Sequence, residues 1–302
     1  MTGKAPSNAV LCAGRLYCDL VFTGTPHLPA MGTETFSKDL SMHAGGGAFI
    51  TAAAFSALGW KTSILATLPA APFDAIVCKD IANFGVNTAY CAKAAKGAAP
   101  QITVAISGQE DRAFLSHKTG AALPDVDFAK GLFRHLHIGE LRSLVEHPNL
   151  IEKARKVGMT ISVDCGWDDE LLGQGDAMGH LLSKVDVFLP NETEYERLTA
   201  SGLPQGIPPL TVVKRGKHGA QAHTHDKQIN QPATATTVVD ATGAGDAFNG
   251  GFLSSWLAGK TLQVCLANGN RCGRSSVQKA GGTGGLLDLP SDLVTAQVGA
   301  AQ

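Results

Sequence analysis

The sequence predicts an α/β fold: three layers, with a mostly parallel central sheet between helices on both faces, and a small β-sheet lid beside it. Three observations carry this. From Leu136 onward, short apolar strands alternate with helix-length segments, the signature of a parallel sheet covered on both sides. Two β-like stretches, about 15–44 and 87–119, break that alternation and suit a separate small sheet. A chain of 302 residues with 44% hydrophobic and 17% charged residues has material for one large core. The expected organisation is one domain over residues 1–302 with the two lid segments inserted in it.

In chain order, Ala9–Ala13 is an apolar run stopped by Gly14 and reads as the first core strand. Residues 15–44 carry Gly, Pro and Thr, with weak alternation from Glu34 to Leu40 that suggests short strands and turns. Gly45-Gly46-Gly47 opens an Ala-rich helix that Gly59 stops. The uncharged run Ala44–Trp60 is too short for a membrane span and reads as a buried helix. Lys61–Leu68 reads as a strand and Phe73–Phe84 as a helix before Gly85. Gln101–Ser107 and Arg112–His117 flank Gly108-Gln109-Glu110-Asp111 as a hairpin. Strands follow at 136–138, 160–164, 185–189 and 210–214, and helices at about 144–157, 176–183 and 192–199. The Thr199–Leu210 connection is short, leaving one peripheral helix missing. Ala220–Ala233 is polar and β-like. Two helices, about 244–258 and 262–276, precede a Gly-rich tail from Gly281.

The formal net charge is −1 and no long basic run occurs, which argues against nucleic acid as the main partner. Seven cysteines, an odd number without a CxxC pair, read as reduced thiols of a cytoplasmic protein. The first residues lack the charged-then-apolar layout of a signal peptide.

The strongest chemical signal is Val239-Asp240-Ala241-Thr242-Gly243-Ala244-Gly245-Asp246-Ala247-Phe248. Val238-Val239 suggest a strand end, Gly243 and Gly245 permit a tight turn, and the apolar run from Ala247 starts a helix. Bare amides at such a helix start attract negative charge. A carboxylate beside an anion site is what phosphoryl transfer needs: the amides hold developing charge and Asp246 takes the proton of the attacking hydroxyl.

This string resembles the C-terminal signature of the ribokinase-like (PfkB) sugar kinases, and matching motifs extend over roughly residues 9–290. Gly14 and Asp19 resemble the family's G-x(4)-D, whose Asp binds sugar hydroxyls. Gly45-Gly46 with Ala48 and Leu58-Gly59 resemble the N-terminal signature, a substrate-binding turn. Asn191 to Glu194 resembles N-x-x-E, which arranges Mg²⁺ and phosphate through water, although it is also a capping-box pattern. Lys214, Gly216 and Gly219 resemble the strand and turn flanking the nucleotide, and Asn270 aligns with a residue near the adenine. Asp240 and Thr242, with Lys279 to Gly281, resemble part of a K⁺-type cation site. The resemblance implies ATP and Mg²⁺ and a small-sugar substrate, with Asp246 as the catalytic base and the turn Gly243, Ala244 and Gly245 as the anion hole. The sequence does not fix the oligomer, but an edge-exposed β lid suits pairing with a second copy, a homodimer through the lid.

Departures bear on substrate choice. The family's sugar-contacting Asn is Ile50, which makes no hydrogen bond. The pocket then suits a substrate with one fewer recognised hydroxyl, or another residue covers the role. Asp164-Cys165-Gly166-Trp167-Asp168 resembles D-x-N-x-R with Gly166 and Asp168 replacing Asn and Arg, which weakens the case for an acidic or phosphorylated sugar. Asp168-Asp169-Glu170 reads as a solvated helix start. Gly259-Lys260-Thr261 lacks the glycine and strand of a P-loop, and no dinucleotide fingerprint is complete. The pairs His135/His137 and His223/His225 have no evident third metal ligand. Two rivals stay open: a nucleoside kinase, with Phe22, Phe36 or Phe114 as stacking aromatics, and a sugar-binding regulator without catalysis.

Overall fold

The structure is a computed structural model that describes residues 8–107 and 112–295. The first half runs β1 (Ala9–Ala13), β2 (Tyr17–Thr23), β3 (Asp39–Gly45), α1 (Gly47–Ala57), β4 (Lys61–Leu65), α2 (Asp74–Asn83), β5 (Ile102–Ser107) and β6 (Arg112–His117). Then come β7 (His135–Ile138), α3 (Leu141–Glu146), α4 (Leu150–Lys156), β8 (Thr160–Asp164), α5 (Asp169–Leu172), α6 (Gly175–Leu182), β9 (Val187–Leu189) and α7 (Glu192–Ala200). The chain continues through β10 (Leu210–Lys214), β11 (Ala220–Thr224), β12 (Gln228–Gln231), α8 (Ala244–Leu257), α9 (Leu262–Ser276) and α10 (Ser291–Thr295).

The central sheet has the order β12-β11-β10-β9-β8-β7-β1-β4. Its strands from β10 to β4 run parallel, and β11 and β12 close one edge antiparallel. Alternating side chains feed two cores. Val10 and Cys12 of β1 join α1, α8 and α9, whereas Leu11 and Ala13 join α3, α4 and the residues of α5–α7. Burial on both faces explains why these strands read as continuous apolar runs. A second sheet, β3-β2-β5-β6, has β2 and β5 parallel and its outer pairs antiparallel.

Some expectations shift. The alternation at Glu34–Leu40 is not a strand until Asp39, because β2 ends at Thr23 and earlier residues have no partner to pair with. The helix expected over 144–157 is two helices, broken at His147-Pro148. Pro148 lacks the amide that a continuous helix needs. The strand expected from Val185 begins at Val187, and the Asp186 carboxylate instead accepts the Ile161 amide at 2.6 Å. β5 and β6 pair antiparallel as a hairpin requires, while the turn Gly108–Asp111 lies outside the described residues. Residues 44–60 end β3 and form α1, which is buried along most of its length. Among the described residues no helix is long and apolar enough to cross a membrane.

Helices α1, α8 and α9 pack closely because glycines line their contacts. A Cβ on Gly250 would overlap that of Ala54, and one on Gly269 would lie 2.7 Å from the Phe248 ring. Trp60 donates its indole N–H to Ser254 Oγ at 2.9 Å, closing the polar gap in the same layer. Gly250→Ala gains about 1 kcal/mol of helix propensity. Overpacking costs about 1–3 kcal/mol. The backbone-fixed neighbour Ala54 cannot swing away, so net destabilisation of up to about 2 kcal/mol is expected. Urea unfolding checks this as a lower midpoint at unchanged slope.

Candidate active site

The site lies at the carboxyl ends of β1, β7, β8 and β10, where an open parallel sheet leaves its crevice. A cleft of about 1100 Å³ runs from there under the second sheet and along the β10–β11 turn. Asp19, Gly46, Asn191, Glu194, Lys214, Gly216, Gly219, Thr242, Gly243–Gly245, Asp246 and Asn270 all line it. Gly45 adjoins it beneath Asp19. Asp240 is buried behind the turn.

The turn before α8 is built by Asp240. Its Oδ1 accepts the Thr242 amide at 2.9 Å and the Thr242 hydroxyl at 2.8 Å, and its Oδ2 accepts the Gly281 amide at 2.9 Å. Gly243 caps the helix with φ 70°, a conformation that favours glycine. A Cβ there would come within 2.7 Å of Gly282 Cα and of Ile50 Cδ1. Ile50, which also lines the cleft, therefore sets its apolar tip against Gly243 and Gly282. The first intrahelical bond runs from the Ala247 amide to Gly243, so the Gly245 and Asp246 amides precede it and have no intrahelical acceptor. The Ala244 amide makes a long bond, 3.4 Å, to Ala241.

Asp246 stands in the first turn of α8 and is clamped from α1. Thr51 Oγ1 donates to its carbonyl at 3.0 Å, and a Cβ on Gly47 would lie 2.6 Å from its Oδ1. Burial, then the nearby Asp164 carboxylate, push the Asp246 carboxyl up to about 8, against the pull of Lys214. Lys214 Nζ donates to Asp164 Oδ1 at 2.9 Å, to Asp164 Oδ2 at 2.8 Å and to Asn249 Oδ1 at 3.3 Å. Asn249 Nδ2 and the Cys165 amide also donate to Asp164, at 2.5 and 2.7 Å. Burial pulls Lys214 down, but Asp164, Glu194 and Asp246 together hold it above the ordinary lysine range, so it stays charged.

Asn191 and Glu194 form a full capping box on α7: Asn191 Oδ1 accepts the Glu194 amide and Glu194 Oε2 accepts the Asn191 amide. Both still face the cleft, and burial followed by Asp164 raises Glu194 to about 7. Across the cleft, burial and then Asp240 raise Asp19 to about 7, and its carboxyl lies over Gly45, where any side chain would collide with it. Asn270 Nδ2 donates to the Gln231 and Pro232 carbonyls at 3.1 and 3.2 Å, fixing the outer rim.

Residues 9–288 match the pfkB family of carbohydrate kinases. The chain belongs to this family. It is 35% identical over 135 residues to an uncharacterized sugar kinase of Archaeoglobus fulgidus, a match spanning 42% of this chain and about half, 53%, of that relative. A 2-dehydro-3-deoxygalactonokinase of Haloferax volcanii is 28% identical over 77% of this chain and 81% of its own length. The nucleoside kinase structure from Methanocaldococcus jannaschii superposes with a TM-score of 0.78 at 19% identity, covering 97% and 99% of the two chains. The pfkB kinase fold is thus present throughout, with its mostly parallel sheet and second small sheet.

Several further residues of this pfkB chain shape the cleft. Arg15 is buried and donates to Gln101 Oε1 at 2.6 Å, to the Thr119 and Gly120 carbonyls and to Glu146, tying the second sheet to α3. Asp168 is not merely a solvated helix start. It accepts the Leu171 amide and a bidentate pair from Arg142, both at 2.7 Å, so α3 returns a guanidinium to the segment whose own Arg is absent. Asp169 and Glu170 pair with Arg197 and Arg142. Phe114 and Trp167 also line the cleft, but Phe22 and Phe36 do not. His135 and His137 bond to Thr160 and Ser162 under α8, and burial keeps both neutral. Among the described residues no three His, Cys, Asp or Glu side chains gather as a metal site.

Gly47→Ala sets a methyl against Asp246 Oδ1 and should lower kcat at least tenfold while the protein stays folded. Steady-state kinetics beside far-UV circular dichroism checks this.

Proposed function

We propose that this chain is an ATP-dependent phosphotransferase acting on a hydroxyl of a small sugar or sugar acid of the ribose, fructose or 2-keto-3-deoxygluconate type. The observation that carries the reading is Asp246, half-buried on the cleft floor in the first turn of α8 beside the Gly243–Gly245 turn. Asp246 accepts the hydroxyl proton as that oxygen attacks the γ-phosphoryl in line, and the amides at the start of α8 meet the developing charge. Asp19 and the Gly45-Gly46 backbone hold the sugar beneath the second sheet, which acts as a lid excluding water. The nucleotide lies between Lys214 to Gly219 and Asn270.

Glu194 fits a role toward Mg²⁺, since one oxygen serves the cap and the carboxyl still lines the cleft to meet a metal-bound water. Bound Mg²⁺ would neutralise phosphate charge there. Asp240, Thr242 and the Lys279–Gly281 segment fit a K⁺-type ion: a buried carboxylate with Gly281 folded against it. The lid's outer face exposes Leu40, Met42 and Leu115, which suits a homodimer through the lid. A second reading, a nucleoside kinase, draws support from Phe114 on the cleft side of the lid.

ATP consumption over ribose, fructose, 2-keto-3-deoxygluconate, adenosine and inosine decides the substrate class, and turnover of none of them would overturn both readings. Asp246→Asn should cut kcat by about 10²–10⁴ with KM little changed; near-native turnover would remove the base assignment. Leu115→Glu should convert a dimer to a monomer in light scattering after size exclusion, and a native protein already monomeric would rule the lid interface out.

A further inference from the structure

Asp246 has a carboxyl neighbour that the proposed mechanism does not use. Asp164, at the end of β8, is buried, lines the cleft and hydrogen-bonds through its carboxyl to that of Asp246. The surroundings are not symmetric. Asp164 collects two of the three contacts of the Lys214 ammonium, the Asn249 amide at 2.5 Å and the Cys165 amide at 2.7 Å. All of these donate, so all favour negative charge on Asp164. Among the described residues Asp246 has no comparable set of side-chain donors: α1 presents Gly47 and Thr51 to it, and Thr51 bonds its carbonyl.

We infer that Asp164 and Lys214 are positioning residues that make Asp246 a strong base: Asp164, whose carboxyl oxygens take the hydrogen bonds of Lys214 and Asn249, receives one more from Asp246 once Asp246 has taken the substrate proton. This rests on the assignment of Asp246 as the base. In the step itself the substrate O–H bond breaks and its proton passes to Asp246. The substrate oxygen forms a bond to the γ-phosphorus, and the bond from that phosphorus to the bridging oxygen breaks with its electron pair leaving on ADP. The protonated Asp246 then points its hydrogen at Asp164, and the proton is lost to solvent after product release. An acid so placed gives up its proton reluctantly, which is what lets it remove one from an alcohol.

Lys214 has a second function in this arrangement. Its ammonium also faces Glu194 from α7, and a Cβ on Gly245 would lie 3.3 Å from Nζ, so the charge sits directly behind the anion turn. The charged groups that face Asp246 are therefore Asp164 from β8, Glu194 from α7 and Lys214 from β10. Helix α1 brings none, and His137 of β7, near Lys214, is kept neutral by burial. Opposite signs on Asp164 and Lys214 make the idea testable, because the two substitutions must move the same proton in opposite directions.

With Asp246 pushed up to about 8, kcat/KM of the native enzyme should climb with pH toward that value as the base ionises. Asp164→Asn removes a negative neighbour, so the acid limb should move down by about one pH unit or more and the plateau kcat should fall about tenfold, as a weaker base accepts the proton. Lys214→Met removes a positive neighbour, and the limb should move up instead. Lys214→Gln is the companion variant in case Met unfolds the chain. Infrared difference titration of the ligand-free protein reads the same proton without turnover: a protonated carboxyl band should vanish in Asp246→Asn, titrate lower in Asp164→Asn and higher in the Lys214 variants. Shifts of equal sign, or losses of kcat with an unmoved limb and band, would overturn the inference. An inactive Asp246→Asn enzyme beside unmoved limbs would overturn it while leaving the base assignment standing.

Discussion

The site depends on one buried ammonium. Asp164, Glu194 and Asp246 bring three carboxyls to the ends of β8, α7 and α8, all largely out of water. Burying a charge costs several kcal/mol unless a partner compensates it, and removing one partner of a buried pair typically costs about 3–5 kcal/mol. Lys214 is the cation among them, and its four-carbon stem reaches from β10 across β9 to Asp164 on β8. Glycine at 245 leaves the room that the ammonium occupies.

The same constraint sets the helix layer. Asp246 reaches the cleft only because α8 approaches α1 at Gly250 and Gly47, and α1 in turn approaches the strand ends at Gly14 and Gly139, where a Cβ would meet Ala48. Sheet ends, α1 and α8 form one close-packed unit, so the distance from base to sugar pocket is fixed by backbone contacts rather than by flexible side chains.

Much of this was legible in the sequence. The β–α alternation and its glycine stops located most elements, because strand burial on both faces and helix termini each leave a residue pattern. The Asp240–Asp246 turn was legible because its parts are contiguous. What escaped was assembled by topology. Lys214 and Asp164 are 50 residues apart and Asn249 lies 35 beyond Lys214, so only the order β8-β9-β10 under α8 joins them. Arg142 escaped for the same reason: the local string at Asp168 had lost its Arg, and α3 supplies one from elsewhere. Pro148 was a visible signal for the break between α3 and α4 that the helical periodicity on either side obscured. Ile50 was recognised as a departure, but its partners, Gly243 and Gly282, are remote in sequence.

The parallel pairing of β2 with β5 has a consequence for how the molecule is made. These strands come from opposite ends of a long stretch that also contributes β4 to the main sheet and α1 to the helices packed on it. Strand β2 leaves the ribosome early yet has no parallel partner until β5 follows, about eighty residues later. The upper sheet is therefore not a module that folds, or can be excised, by itself. It is completed only around an already emerging scaffold, so its presence certifies that the part of the chain beneath it has been built.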